Sequence, residues 1–242
     1  MEVYLFVFIV VTVLLQACTS YDTSDPNVKC FPTKAGRADC NNALKKIMYE
    51  ADSSLDIREY HVERISGNCV VMVDNPNVLA LNKQIVTDGF KKLLGHCKNN
   101  SGYYNLTNPA TVTLSIRSRQ PLPIIEDDSK FNEVFCYGKK LASPSDCQKA
   151  YGLLPTNQAG NFVYSEDIRF VTSSVTRAYG SCSVLPMSSD GSFMYLLKQD
   201  VKPFFDKIIS KCNGRWGAMS IQNGVYGRNG KFMIVVFPVN TK

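Results

Sequence analysis

The sequence predicts an α+β fold made of two tandem, disulfide-stapled split β-α-β units of the ferredoxin-like kind, each an antiparallel sheet with two helices on one face. Three observations lead to this prediction. A helical stretch occurs twice, a cysteine spacing occurs twice, and strand-like patterns lie between the helices in both halves of the 242-residue chain.

The repeated helical stretch covers residues 81–97 and 196–212, which align without a gap. Their apolar residues recur at the spacing of an amphipathic helix. These positions are Val86, Phe90, Leu93 and Cys97 in the first copy, and Val201, Phe205, Ile208 and Cys212 in the second. Each copy therefore predicts a core helix whose last turn places a cysteine on the buried face.

Four cysteines in each half follow similar spacings, and an aspartate precedes the second cysteine of each set. They are Cys30, Cys40, Cys69 and Cys97, then Cys136, Cys147, Cys182 and Cys212. The ninth cysteine, Cys18, lies in an N-terminal apolar segment that is typical of a signal peptide, so an even number remains in the mature chain. This even number, the lack of a closely spaced pair and the presence of only two histidines predict disulfides and no metal site.

The pairing of these cysteines depends on the assumed topology, because four cysteines allow three pairings. In a split β-α-β unit the first strand lies beside the third, and the start of the first helix approaches the end of the second. This arrangement favours the pairs Cys30–Cys69, Cys40–Cys97, Cys136–Cys182 and Cys147–Cys212.

The remaining elements follow in the same order in both halves. The first half predicts a strand around Cys30, a helix from Asp39, a hairpin over 57–73, the long helix and a strand over 112–116. In the second half, Pro203 is expected to kink the long helix. Asn223-Gly224 and Asn229-Gly230 are typical of turns between the last two strands.

The N-terminus predicts the compartment. An apolar run over 3–15, followed by small residues, is typical of a secretory signal peptide, here residues 1–20. A bacterial lipobox ending at Cys18 is the alternative, but the run has no basic residue before it. We expect a secreted, extracellular protein with no stable membrane insertion. Asn99 and Asn105 begin glycosylation sequons, which predicts a glycoprotein.

The mature chain divides into a short leader over 21–27, a first domain over 28–117, a linker over 118–130 and a second domain over 131–242. The linker holds two prolines and an acidic run. An exposed, uncleaved linker and one that is processed at Arg119 both remain open.

The formal charge of +6 is spread along the chain without a dense basic block, which argues against a specific nucleic-acid module. No cofactor-binding motif is present, and we expect a monomer without a cofactor.

Two small groups of residues are candidate sites. His61 and Glu63 share one face of a predicted strand and could act as an acid–base pair, although alternating polar residues also describe any solvated strand. Trp216, which follows Arg215, is the one residue that suggests a ligand surface.

The chain resembles fungal small secreted cysteine-rich proteins. An Asp-Cys helix start, a Gly-x-Cys strand (67–69 and 180–182) and a helix ending in cysteine are similar to the smut-fungus killer-toxin subunits and to plant-pathogen effectors that share their fold. The resemblance implies an effector or toxin-like protein that binds a host or competitor target, with entry into host cells left open.

The candidate partners are a host protein or a surface glycan. The scarcity of catalytic groups favours binding over catalysis. The alternatives are a secreted small hydrolase or nuclease that uses the first domain, and a structural protein of a cell wall.

Overall fold

The computed structural model describes residues 25–119, 129–139, 141–165 and 170–239. The predicted signal peptide, the leader up to residue 24 and the linker residues 120–128 lie outside these ranges. The elements of the first half are β1 Val28–Lys34, α1 Arg37–Leu44, β2 His61–Ser66, β3 Cys69–Asp74, α2 Lys83–Cys97, β4 Asn100–Asn105 and β5 Thr113–Ser118. Those of the second half are β6 Phe135–Tyr137, α3 Pro144–Gly152, β7 Arg177–Tyr179, β8 Cys182–Ser188, α4 Lys198–Cys212, β9 Trp216–Ile221 and β10 Phe232–Pro238.

Each half forms one five-stranded sheet. The strand orders are β1-β4-β5-β3-β2 and β6-β9-β10-β8-β7, and every neighbouring pair of strands is antiparallel. The α+β class and the tandem duplication predicted from the sequence are therefore confirmed.

Both helices of a half lie on the same face of its sheet. In the first half Cys40 of α1 and Phe90 of α2 belong to one core cluster with Val71 and Leu114 of the central strands. In the second half Cys147 of α3 and the helix α4 share a core with β8, β9 and β10. Each core is buried between two helices and one side of a sheet, as the apolar periodicity predicts.

The predicted place of the first strand is wrong. β1 lies beside β4, because the chain adds two strands after the long helix and these take the next positions in the sheet. The two strands that follow the helix, β4 and β5, therefore separate β1 from β3.

The predicted disulfide pairing is wrong for the same reason. The eight cysteines form two bridges in each half: Cys30–Cys97, Cys40–Cys69, Cys136–Cys212 and Cys147–Cys182. Since β4 follows directly on α2 and pairs with β1, the last turn of α2 lies over Cys30. Gly102 faces Cys30 across the strands, and a Cβ there would lie 2.6 Å from the Cys97 sulfur.

The bridges Cys40–Cys69 and Cys147–Cys182 are each positioned by an aspartate in the first turn of the short helix. The Asn68 backbone N–H donates to Asp39 Oδ2 at 2.9 Å, and the Ser181 backbone N–H donates to Asp146 Oδ2 at the same distance. The preceding glycine, Gly67 or Gly180, has a φ of 51° and packs against the carboxylate. The Asp-Cys and Gly-x-Cys segments are thus two parts of one contact that brings the cysteines together.

The helices also bear on what the sequence suggests about Pro203 and about the membrane. α4 continues through Pro203 without interruption, so the proline does not divide the helix. Within the described ranges, the chain has no helix whose length and apolar character would let it cross a bilayer.

Candidate functional site

Trp216 is the centre of an exposed aromatic cluster on the second half. α4 ends at Cys212, Asn213 adopts a left-handed conformation (φ 46°), and the chain turns directly into β9. The inward face of this strand is fixed by Gly217, where a Cβ would lie 2.6 Å from the Cys212 sulfur. Because side chains alternate along a strand, Trp216 points to the opposite face.

Two aromatic rings of the edge strand β6 enclose the indole. Phe135 and Tyr137 lie on either side of Cys136, and Tyr137 is directly opposite Trp216 in the sheet. Their ring centroids are 6.2 and 6.3 Å from that of Trp216, with interplanar angles of 85° and 88°. This edge-to-face geometry holds the indole in place while leaving part of it exposed.

An open cavity of about 430 Å³ lies beside this cluster. Its lining is formed by Tyr137, Gly138, Lys139, Leu141, Trp216 and Pro238. Tyr137 is 47% exposed and Leu141 is 60% exposed. A monomeric protein usually buries such side chains, and their grouping around a concavity is typical of a binding surface.

The structure separates the two candidate binding residues. Trp216 lines the cavity, whereas Arg215 donates from Nε to the Cys212 carbonyl at 3.2 Å and so caps the end of α4. Tyr137, Leu141 and Pro238 were not expected from the sequence as parts of this site. The aromatic pair that flanks Cys136 was the available signal for the first of these.

His61 and Glu63 lie on one face of β2, as their alternation predicts, but they have separate partners. His61 Nδ1 lies 2.6 Å from Asp74 Oδ1, and Arg117 donates to Glu63 at 3.2 Å. Burial lowers the pKa of His61, but the hydrogen bond and charge of Asp74 outweigh it, so the pKa is raised. The geometry stabilises an imidazolium.

The predicted sequon residues Asn99 and Asn105 are both exposed. The serine of the first sequon, Ser101, is buried and accepts a hydrogen bond from Thr33 at 2.8 Å. In the second, Asn105 Oδ1 accepts from Thr113 at 2.9 Å. Glycosylation at either position stays a prediction.

A buried polar contact joins the two halves and was not foreseen from the sequence. It is built around Asn229, in the loop between β9 and β10, which is only 4% exposed. Its Oδ1 accepts from the Met48 backbone N–H at 2.8 Å, and its Nδ2 donates to the Met48 carbonyl at 2.8 Å. The side chain therefore pairs with the first half's backbone as a neighbouring strand would.

Two charged residues of the first half complete this contact. Arg64 donates to the Asn229 side chain at 2.6 Å and to its carbonyl at 3.0 Å. Glu59 accepts from the Asn229 backbone N–H at 2.6 Å and from its Nδ2 at 2.8 Å. Nearby, the Asp190 carbonyl accepts from the backbone N–H groups of Tyr60 and His61 at 2.8 and 3.1 Å.

Burial raises the pKa of Glu59 to about 7, although the hydrogen bonds from Asn229 oppose the shift and the Asp190 charge adds to it. Burial also raises the pKa of Asp190. The contact between the halves thus holds two carboxyl groups that resist ionisation. Within the described ranges, no group of three His, Cys, Asp or Glu side chains is placed to hold a metal ion.

Comparisons with known proteins give structural neighbours only. No family model matches the chain, and no curated protein matches it. The tandem DUF26 ectodomain of the Arabidopsis thaliana cysteine-rich receptor-like protein PDLP5 is similar with a TM-score of 0.28 and 14% identity, covering 87% of this chain and 97% of that one. The corresponding ectodomain of PDLP8, also from Arabidopsis thaliana, is similar with a TM-score of 0.29 and 10% identity, covering 88% and 97%. Similarity at this level supports no statement about what this chain does.

Proposed function

We propose that the protein is secreted and acts by binding a host or competitor target through the aromatic cavity at Trp216. The supporting observation is the enclosure of one partly buried indole by two perpendicular rings beside an open apolar concavity. The four disulfides support an extracellular location, since such bridges persist in oxidising compartments. A protein of this kind would serve as an effector or a toxin-like agent.

The ligand class that suits the cavity best is a surface glycan. The apolar face of a sugar ring stacks on an aromatic side chain, and Lys139 on the rim supplies hydrogen-bond donors for hydroxyl or carboxylate groups. An apolar side chain of a host protein is the second choice for the same walls.

The single tryptophan of the chain gives a direct test. Titrating the purified mature protein with a panel of soluble cell-surface glycans should change the Trp216 emission when a ligand enters the cavity. Tyr137→Ala should weaken binding of the responding glycan about tenfold, which corresponds to about 1.4 kcal/mol.

Phe31→Ala is the matched control, because Phe31 follows Cys30 in the first half as Tyr137 follows Cys136 in the second. It should leave binding unchanged. If Trp216→Ala and Tyr137→Ala proteins with all four bridges retained full biological activity, the cavity would not be the binding surface.

A secreted hydrolase or nuclease remains the alternative because of the His61–Asp74 pair, whose geometry could orient an imidazole for proton transfer. On the binding proposal, His61→Ala and Glu63→Gln leave biological activity intact. Loss of activity in either correctly bridged variant would favour the enzyme.

A further inference from the structure

In the first half, Glu59, Arg64 and the backbone of Met48 form a groove that receives the Asn229 side chain. This groove has a counterpart in the second half. Arg64 is opposite Val71, two residues after Cys69, and Arg177 is opposite Val184, two residues after Cys182. The two arginines therefore occupy the same position of the repeat, on the edge strand next to the bridged strand.

Their hydrogen bonds repeat as well. Arg64 donates to the carbonyl of the preceding residue, Glu63, at 2.7 Å, and Arg177 donates to that of Thr176 at 2.8 Å. Each also reaches a carbonyl in the segment after the short helix, at Lys46 for Arg64 (3.0 Å) and at Tyr164 for Arg177 (3.2 Å). Each half thus has a guanidinium platform at the same repeat position, although Nε makes the second hydrogen bond in the first half and a terminal guanidinium nitrogen makes it in the second.

The two platforms differ in what covers them. Arg64 is 6% exposed beneath Asn229, whereas Arg177 is half-buried and borders an open cavity of about 370 Å³. Tyr164, which lines this cavity, is 65% exposed. An exposed aromatic side chain beside an arginine is typical of a protein–protein interface, where both residue types are enriched.

We propose that the groove at Arg177 binds a partner protein through a tight turn that carries an asparagine side chain, in the way the first half binds the turn at Asn229. Arg177 has a planar fork of five N–H donors, of which the contacts above use two, so it can donate to the amide oxygen and to a turn carbonyl. The occupied groove of the first half is the template for this occupant.

One difference defines the partner further. Glu59 lies five residues before Arg64, and the residue five before Arg177 is Thr172. The lining of the second groove holds the hydroxyl groups of Ser165, Ser174 and Thr176, whereas the first groove has the carboxyl group of Glu59. Binding of the partner turn should not depend on pH between about 5 and 8, because no hydroxyl titrates there.

This surface is distinct from the Trp216 cavity. β7 carries Arg177 at one edge of the second sheet, and β6 forms the opposite edge. A second copy of the chain is not the expected occupant, because its Asn229 is already buried against its own first half.

The probe is a cyclised peptide with the sequence of residues 225–232, which contains the turn at Asn229. Added to the full-length protein, it should shift the backbone resonances of Thr176 and Arg177 and bind with a millimolar or tighter Kd. Arg177→Ala should weaken binding at least tenfold, and Arg177→Lys should weaken it similarly because a lysine has no planar fork.

Two controls separate this surface from general attraction. A peptide with alanine in place of Asn229 should not bind, and Arg215→Ala in the protein should leave binding unchanged. No binding at several millimolar peptide, binding that Arg177→Ala does not weaken, or shifts confined to the Met48 and Arg64 region would each overturn the proposal. Self-association of the full-length protein that Arg177→Ala abolishes would overturn it in favour of a second copy.

Discussion

Single side chains make important contacts between the two halves of this protein, and Asn229 is the clearest example. It makes four side-chain hydrogen bonds, all with the first half of the chain. Two of the partners, Glu59 and Arg64, are buried charged residues. An amide satisfies a carboxylate and a guanidinium at once, because it carries both a donor and an acceptor.

Asn229→Ala should therefore destabilise the protein strongly. It leaves a buried carboxyl group and a buried guanidinium without the hydrogen bonds of the amide, and each buried polar group left unsatisfied costs about 1–3 kcal/mol. Chemical denaturation at pH 6 measures the change. Asn77→Ala, at an exposed asparagine that bonds one threonine hydroxyl, is the control and should change stability by less than about 0.5 kcal/mol.

The raised pKa of Glu59 predicts how stability depends on pH. The folded state binds the Glu59 proton more tightly than the unfolded state does. The contribution of this proton to the free energy of unfolding is therefore complete below the unfolded pKa near 4.5, and it is lost as pH rises through the folded pKa of about 7. The whole effect is on the order of 3 kcal/mol.

The free energy of unfolding should therefore fall between pH 5 and pH 8.5. Glu59→Gln should make this dependence on pH weaker, even if the substitution lowers stability at every pH. A wild-type stability that rises across the range would contradict the assignment.

At the scale of elements, each long helix is fastened to an edge strand by a cysteine that faces a glycine. Gly102 and Gly217 lie under the sulfur atoms of Cys97 and Cys212. At Gly102 a Cβ would also lie 2.5 Å from the Lys29 carbonyl oxygen, which is backbone and cannot move aside cheaply. The bridge and the strand pairing thus both depend on a missing side chain.

Substitutions at two glycines of the first half, Gly95 and Gly102, should have opposite effects on the free energy of unfolding. Gly102→Ala should lower the free energy of unfolding by about 1–3 kcal/mol through overpacking. Gly95→Ala should raise it by about 0.5–1 kcal/mol, because Gly95 lies in α2 with open space where a Cβ would be. Thermal unfolding of both variants checks this pair, and stabilisation by Gly102→Ala would contradict the packing described here.

The sequence predicts the secondary-structure elements better than it predicts which elements are neighbours in the fold. The repeated helices and the cysteine positions follow from periodicity and spacing, which are local properties. The bridges Cys30–Cys97 and Cys40–Cys69 depend on the strand order, which differs from the predicted one because two strands, rather than one, follow the long helix. Asn229-Gly230 is a turn signal in sequence, and nothing local shows that its side chain meets Glu59, 170 residues away.

Prediction of the candidate site was incomplete for a similar reason. Trp216 is conspicuous as the single tryptophan, but its partners Phe135 and Tyr137 lie in a three-residue edge strand whose register only the sheet reveals. Arg215, its sequence neighbour, points to the helix end instead.

At the scale of the whole molecule, the two halves are joined by the polar contact as well as by the chain between them. In the part of the chain that the structure describes, each of the four disulfides lies within one half, and none joins the two halves. We expect a protease to cut first in the linker over 118–130, which holds two prolines and an acidic run.

Limited trypsin digestion should cut in that linker first, and the two nicked halves should still elute together in gel filtration at pH 6. The buried contact around Asn229 provides the association. Nicked Asn229→Ala protein should separate into two species of about half the size. Separation of the nicked wild-type protein at pH 6 would show that the contact is too weak to join the halves alone.

The nesting of the bridges also determines how the molecule would respond to a pulling force. In each half the short bridge lies inside the loop closed by the long one, with sequence separations of 29 inside 67 and 35 inside 76. The long bridges withhold about 230 and 260 Å of extended chain at about 3.4 Å per residue. The strands left free to extend are β4 and β5 in one half and β9 and β10 in the other, which lie between bridged strands in both sheets. Tension on the ends would therefore draw each sheet apart from its interior. In each half, a reductant would release the remaining length in two steps when it reduces the long bridge before the short one.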